Sequence, residues 1–493
     1  MHSSVAAGGL EKALGTRDVF VAGVALVVAS TTLVSDFVGY FTLGASFVMA
    51  IVIAFAINLF LGLSASELAV SSPRAGAIYE YGRDVVGGTA GKLVGVFLGL
   101  TFIGMFALVG PGETAAGGFG LQAVFNTGSG LNWFIVAMSV AAVIPNILGI
   151  RVAAWVSIAL LIGMLVIRWM FGLAGLLGLG DQGSWSSANL DTGGPGAWDW
   201  FGNTGLLASG LVLAFWTFVG IEFVCSLTEE VREPRKSMPR GIIVGLLVIL
   251  GTSWLMGLGV AGTTPASGGT WADVALGPAG CDGSCPQLAV GEEFFGGTGR
   301  ALMALASVFA TLGSMTVAFA AIPRIIYGIA RDGHFFGPQL SRAFAYLHPS
   351  WRTPVPAIVL FSLVATGLSL FSSDVVDWIF SGAYVWILVY AAFNLLAFLS
   401  RVWRSGGRGS AGVAQAERNG SLLFGSWFTA VALVGVIATI ATLYYAFVGV
   451  HGDYYWRALI ILGVAALATA LAHFVPSSDV EVPVVEGQVR TEG

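Results

Sequence analysis

Apolar residues gather in long, nearly unbroken runs, without the alternation of a half-buried strand or the single apolar stripe of a soluble helix. A helix needs roughly 20 mostly apolar residues to cross about 30 Å of hydrocarbon. Twelve runs approach or exceed that length: 18–42, 45–69, 92–122, 131–149, 152–178, 202–227, 240–262, 300–330, 355–372, 378–400, 421–449 and 456–475. The pattern predicts an all-α membrane protein with twelve transmembrane helices, the third and eighth long enough to tilt. A polar stretch containing Pro73, Arg74, Tyr79, Tyr81 and Arg83 joins the second and third runs. The first run is too long for a cleaved signal peptide, and no soluble mature domain follows it. Residues 1–17 and 476–493 read as short tails. The stretch 400–420, with Arg401, Arg404 and Arg408 among Gly and Ser, reads as a flexible connector.

Composition narrows the class. Of 493 residues, 56% are hydrophobic and 10% charged, and the mean hydropathy is +0.85. An ordinary soluble domain carries roughly 25% charged residues. A soluble enzyme, a nucleic-acid binder and a disulfide scaffold are therefore excluded for the whole chain. The 69 glycines suit helices packed closely in lipid.

Charge orients the bundle. With the N-terminus inside, all but three of the 22 Lys and Arg fall on the inner side, the exceptions being Arg168, Arg300 and Arg457. Outward connections carry Asp181, Asp191, Asp199, Asp273, Asp282, Glu292, Glu293, Asp374, Asp377 and Asp453. Both termini are thus expected in the cytoplasm, with the protein multi-pass in a plasma membrane. Cys281 and Cys285 lie on the outward connection between spans seven and eight, where a local disulfide and free thiols are both open readings. Cys225 reads as a small packing residue in its span.

Function in a bundle sits where apolar patterning fails, because polar groups in lipid are costly. The first span fails at Ala29-Ser30-Thr31-Thr32, followed by Asp36. The sixth fails at Phe215-Trp216-Thr217-Phe218-Val219-Gly220, followed by Glu222. Paired interruptions in two halves point to a midplane site, since a broken helix offers free amides on one side and free carbonyls on the other. The bland reading is that Ser and Thr bond back to helix carbonyls while Gly aids packing.

Three motif blocks then resemble the amino acid–polyamine–organocation superfamily of secondary transporters. They are Glu67-Leu68 with Pro73-Arg74-Ala75-Gly76 and Tyr79-Glu80-Tyr81; Phe215 through Glu222 with Glu229-Glu230, Pro234 and Pro239-Arg240; and Thr311-Leu312-Gly313-Ser314 with Arg324, Tyr327, Ala330-Arg331-Asp332-Gly333, His348-Pro349 and Arg352-Thr353-Pro354. The resemblance covers residues 18–400. It implies a leucine-transporter-like 5+5 inverted repeat, with spans one to five in 18–178 and spans six to ten in 202–400. Two C-terminal helices in 421–475 follow. It also implies substrate held between the broken first and sixth spans, with alternating access. One departure stands out: the family's Gly-Ser-Gly break falls on Ala29-Ser30-Thr31, so both glycines that would bare the amides to a substrate carboxylate are missing. The substrate is then either an amino acid in an altered pose or a solute without a carboxylate.

The expected substrate-binding residues are Ala29, Ser30, Thr31, Thr32, Phe215, Trp216, Thr217, Phe218 and Gly220, with Trp216 and Phe218 as an aromatic lid for an ammonium group. Asp36 shares a helical stripe with Ala29 and Thr32 and either faces the cavity or lies among the outer headgroups. Glu222 is either a proton carrier or a brace for the broken helix. Thr311 and Ser314 form a candidate cation site. Glu113, about 21 residues beyond Lys92, is expected at the outer rim as a gate residue, or at a central site if the span is bent. Arg168 either snorkels outward or pairs with Glu113. Glu229 and Glu230 read as an inner ion-pair cluster with Arg232, Arg235 and Lys236.

The expected function is import of an amino acid or related organic amine, coupled to protons in preference to sodium. Solute exchange and solute sensing are the alternatives. No cofactor, catalytic triad, metal-ligand spacing or Gly-x4-Gly-Lys-Ser/Thr loop is present, and no nucleic-acid partner is expected.

Overall fold

A computed structural model describes residues 9–192, 198–199, 204–371, 374–405, 423–449 and 454–474. Most of the 400–420 connector, both outer ends of the tails and Asp453 lie outside the described residues. Among the described residues every regular element is helical, apart from one isolated backbone pairing between Leu14 and Val231. In that pairing Leu14 donates to the Glu230 carbonyl at 2.9 Å, and Arg232 donates to the Leu14 carbonyl at 3.0 Å.

Each of the twelve apolar runs coincides with helix. The first is split into α1 (Thr16–Val27) and α2 (Ser30–Leu43), whose axes meet at 55°. The next are α3 (Ala45–Ser71), the short inner helix α4 (Ile78–Val86), α5 (Gly88–Val124), α6 (Leu131–Ile147) and α7 (Ile150–Leu177). The sixth run becomes α8 (Thr204–Trp216), a turn over 217–220 and a 3-10 helix over Ile221–Glu230. Then come α9 (Pro234–Ala261), the short α10 (Trp271–Ala275), α11 (Pro286–Arg331), α12 (Pro338–Phe344), α13 (Val355–Ser369), α14 (Val375–Ser405), α15 (Phe428–Gly449) and α16 (Tyr454–Phe474). Among the described residues nine helices are long and apolar enough to cross a membrane, or ten with the bent α1–α2 pair; α6 and α13 are shorter, at 17 and 15 residues. Within α11 the helix is interrupted at Phe295 and Gly296, so its long apolar part begins where the eighth run was read.

Close approach between helices needs small residues. A Cβ on Gly175 of α7 would fall 2.0 Å from the Gly259 carbonyl oxygen of α9, so only glycine lets these two backbones touch. Towards the core, α5 and α11 pack against each other and both flank the α1–α2 bend. Outward-facing apolar side chains such as Trp155, Ile162, Val166 and Leu173 line the exposed side of α7, as a lipid-facing surface requires.

Two buried ion pairs tie distant helices. Arg401 of α14 donates to Glu67 of α3 at 2.5 Å, and Glu67 also accepts the Leu423 amide at 3.1 Å. Arg324 of α11 pairs with Glu230. At the end of α11, Arg331 donates to Glu229 at 2.9 Å and to Glu80 at 3.2 Å, while Arg83 and Arg74 also bind Glu80. The partners of Glu229 and Glu230 therefore come from the end of α11, not from Arg232, Arg235 or Lys236 as their closeness in sequence suggested. Cys281 and Cys285 are joined by a disulfide, and Cys225 is buried.

Candidate functional site

The first break is shorter than the polar cluster that announced it. Val28 and Ala29 leave the helix, and Ser30, Thr31 and Thr32 already form the first turn of α2. Ala29 has φ −68° and ψ 170°, an extended conformation open to any residue, so this break does not need glycine. A helix start bares amides that must find acceptors when buried. Here the acceptor is a side chain from another helix. Glu113 of α5 takes the Ser30 amide on Oε1 and the Thr31 amide on Oε2, each at 3.0 Å.

Glu113 is held in turn by the two hydroxyls expected to bind a cation. Ser314 donates to its Oε1 at 2.9 Å and Thr311 to its backbone carbonyl at 3.0 Å. Ser30 donates its hydroxyl to the Ser307 carbonyl at 2.8 Å, fastening α2 to α11. Thr32 donates back to the Val27 carbonyl. Arg168 of α7 donates to the Ala29 carbonyl at 2.7 Å, an oxygen that also accepts the Leu33 amide at 3.3 Å, and among the described residues its Nε has no hydrogen-bond partner. Glu113 and Arg168 are thus both buried at the first break, 2% and 1% exposed. Neither sits at the outer rim, because the Gly110-Pro111-Gly112 stretch runs on as helix and carries Glu113 past the bend. Arg168 does not snorkel, and its hydrogen bond goes to Ala29, not to Glu113.

At the second break, Phe218 and Val219 make tight turns onto the Phe215 and Trp216 carbonyls, both at 3.1 Å. Gly220 follows with φ +118°, and a Cβ there would lie 2.0 Å from a Leu26 methyl of α1. The positive φ demands glycine, and a larger residue would also have to push the Leu26 side chain aside. Glu222 braces the turn: its Oε2 accepts the Gly220 amide at 3.1 Å and the Tyr390 hydroxyl at 2.6 Å, and its Oε1 accepts the Trp386 indole N–H at 2.6 Å. Its hydrogen bonds are those of the bracing reading.

Asp36 joins the two breaks. It is buried and accepts the Thr217 hydroxyl at 2.6 Å, while neighbouring Ser35 donates to the Leu213 carbonyl at 2.9 Å. Asp36 is 3% exposed, and it is not among the residues that line the cavity between the breaks. Between the breaks lies a cavity of about 30 Å³, walled chiefly by Ala29, Thr32, Phe106, Glu113, Trp216 and Trp386. That is space for a water or two, so the site is closed in this conformation. Trp216 and Trp386 meet edge to face at 5.5 Å. The other two aromatics of the sixth span turn away: Phe215 packs on Tyr390 and Phe218 on Phe55. Phe218 is therefore not part of a lid over this cavity.

Trp386 and Tyr390 escaped sequence reasoning. They stand four apart on α14 and so share a helix face, but nothing in that spacing names Glu222 as their partner. The capping role of Glu113 carried no local signal either, since its partners lie 82 and 83 residues away.

Two interrupted helices, side by side within a bundle of long apolar spans, define a multi-pass helical membrane protein with an irregular backbone at its centre. Comparison with known proteins names the family. A sequence model described as amino acid permease matches residues 14–473, and the chain belongs to that family, as the three motif blocks implied. It is 27% identical to human cationic amino acid transporter 4 over 226 residues, 45% of this chain and 31% of that protein. It is 24% identical to an uncharacterized transporter of Mycobacterium tuberculosis over 79% of this chain and 80% of that one. It is 24% identical to the methylthioribose transporter of Bacillus subtilis over 62% and 63%. Thus the matched region spans about a third of the human relative. The family and the relatives carry the names of transporters, not enzymes.

Proposed function

We propose that this protein is a secondary active transporter that imports an amino acid or related organic amine by alternating access, coupled to protons in preference to sodium. The observation that carries this reading is the pair of broken helices joined through Asp36 and Thr217 beside a closed central cavity. Exposed main chain at such a point can grip a solute, and the breaks are natural hinges. Twelve spans arranged as a 5+5 repeat, residues 18–178 and 202–400, with 421–475 outside it, suit the chain order of the helices. The run of arginines at the starts of α1, α7 and α9 favours cytoplasmic termini in a plasma membrane.

The fill of the first break favours the amine. Two amides that would welcome an anion are already occupied by Glu113. Glu113 lines the cavity, and in the flanking break segments the buried carboxylates Asp36 and Glu222 join it against the guanidinium of Arg168. A cationic solute or a proton restores that balance, and the indole rings of Trp216 and Trp386 suit an ammonium group. Names of relatives span amino acids and methylthioribose, so they leave both substrate types open.

Purified protein in liposomes tests the proposal. Amino acids and their decarboxylated counterparts are offered under an imposed proton or sodium gradient. Uptake of amines driven by the proton gradient is the expected result. Uptake of amino acids alone would discard the amine, sodium dependence would reverse the coupling, and no uptake of either class would remove the transport reading.

A further inference from the structure

A second cavity opens at the inner end of the bundle, away from the breaks. It holds about 260 Å³ and is lined by Arg17, Arg151 and Arg232, together with Gly15, Asp18 and Trp155. Three polypeptide segments supply the guanidinium groups: the start of α1, the start of α7, and the stretch between the 3-10 helix and α9. Acidic neighbours answer two of them. Arg151 binds Glu11 at 2.5 Å, and Arg17 approaches Asp18 at 3.5 Å while lying over the Trp155 ring at 5.1 Å. Arg232 is exposed and has no ion pair among the described residues. The lining therefore keeps an excess positive charge around a hole larger than the central one.

Where the cavity opens says what fills it. Trp155 is 63% exposed and begins the apolar outer face of α7 that continues through Ile162, Val166 and Leu173. An indole at the start of a lipid-facing stripe marks the level of the headgroups. Basic side chains at that level on the cytoplasmic side meet the leaflet that carries anionic lipid. We propose that this cavity binds the phosphate of an anionic phospholipid headgroup, its acyl chains lying along the outer face of α7. Guanidinium pairs with phosphate in fork geometry, and Arg232, which no carboxylate answers, supplies such a fork at the edge of a lining whose other two arginines are held by Glu11 and Asp18. The occupant then clamps the start of α1 to α7 and to the segment after the second break.

Full-length protein in neutral detergent is titrated with phosphatidylglycerol, phosphatidylcholine or inorganic phosphate, following thermal unfolding and bound lipid by native mass spectrometry. Phosphatidylglycerol is expected to raise Tm and remain bound as one molecule, whereas phosphatidylcholine does neither. The triple variant R17Q/R151Q/R232Q should weaken phosphatidylglycerol binding about tenfold or more, and Arg232→Gln alone, at an exposed site with no structural partner, by a few-fold. Equal retention of both lipids, or unchanged binding in Arg232→Gln and the triple variant, would overturn the proposal. Inorganic phosphate reproducing the full effect of the lipid would overturn the membrane source.

Discussion

The two breaks solve one physical problem in opposite ways. At the first, the backbone is ordinary and the cap is foreign: Ala29 is simply extended, and the freed amides of Ser30 and Thr31 reach across to Glu113 of α5. At the second, the backbone is special and the cap is partly local: Gly220 is left-handed, and its amide goes both to Glu222, two residues on, and to the Tyr390 hydroxyl of α14. The first break thus depends for its cap wholly on another helix, whereas the second keeps one acceptor within its own turn.

That contrast breaks most sharply on the caps themselves. Glu222→Ala leaves the Trp386 indole N–H and the Tyr390 phenol without their acceptor and the Gly220 amide with the Tyr390 oxygen alone, and each lost acceptor costs about 1–3 kcal/mol. Glu113→Ala likewise strips the Ser30 and Thr31 amides of their acceptor, so a stability loss of several kcal/mol is expected for both variants in detergent unfolding, with the larger effect on uptake in Glu113→Ala. Equal effects on uptake would erase the distinction. Glycine gives the next test. Gly220→Ala meets both a positive φ and a Leu26 methyl and should cost about 2 kcal/mol or more, whereas Ala29→Gly should cost about 1 kcal/mol or less.

Asp36→Asn keeps an acceptor for Thr217 but removes the charge that spans the breaks. Amine uptake should fall about tenfold in apparent affinity with Tm nearly unchanged, as read from initial rates in liposomes. The smallest effect concerns His334, in the inner loop after α11, where its Nδ1 lies 2.9 Å from the Tyr79 hydroxyl. Burial, then Lys92 and Arg83, push its pKa down to about 4, so it stays neutral across the physiological range. His334→Gln should leave the pH profile of uptake between pH 5 and 8 unmoved. The sign for stability follows: as pH falls from about 6.5 towards 4 only the unfolded chain gains this proton, so His334 weakens the fold in that window.

What could be read beforehand followed range of interaction. Runs of apolar residues located every major helix because spanning lipid is a local property of about 20 residues. Both breaks were visible as Ser/Thr and Gly clusters, although Ser30 to Thr32 belong to the resumed helix and the interruption sits at Val28 and Ala29. Glu222 was readable as a brace because it lies beside what it braces. Glu113 was placed at the rim by counting along a straight helix, which says nothing of where α2 bends towards it. Phe218 was assigned to the cavity from its neighbours, but on a turn adjacent side chains diverge, and it went to Phe55.

The short pairing of Leu14 with Val231 has a mechanical consequence. Its hydrogen bonds lash the lead-in of the first interrupted span to the exit of the second. Neither end can swing away by itself without snapping that lashing, so under the proposed alternating access any opening at this spot carries both ends as one leaf or first undoes the knot.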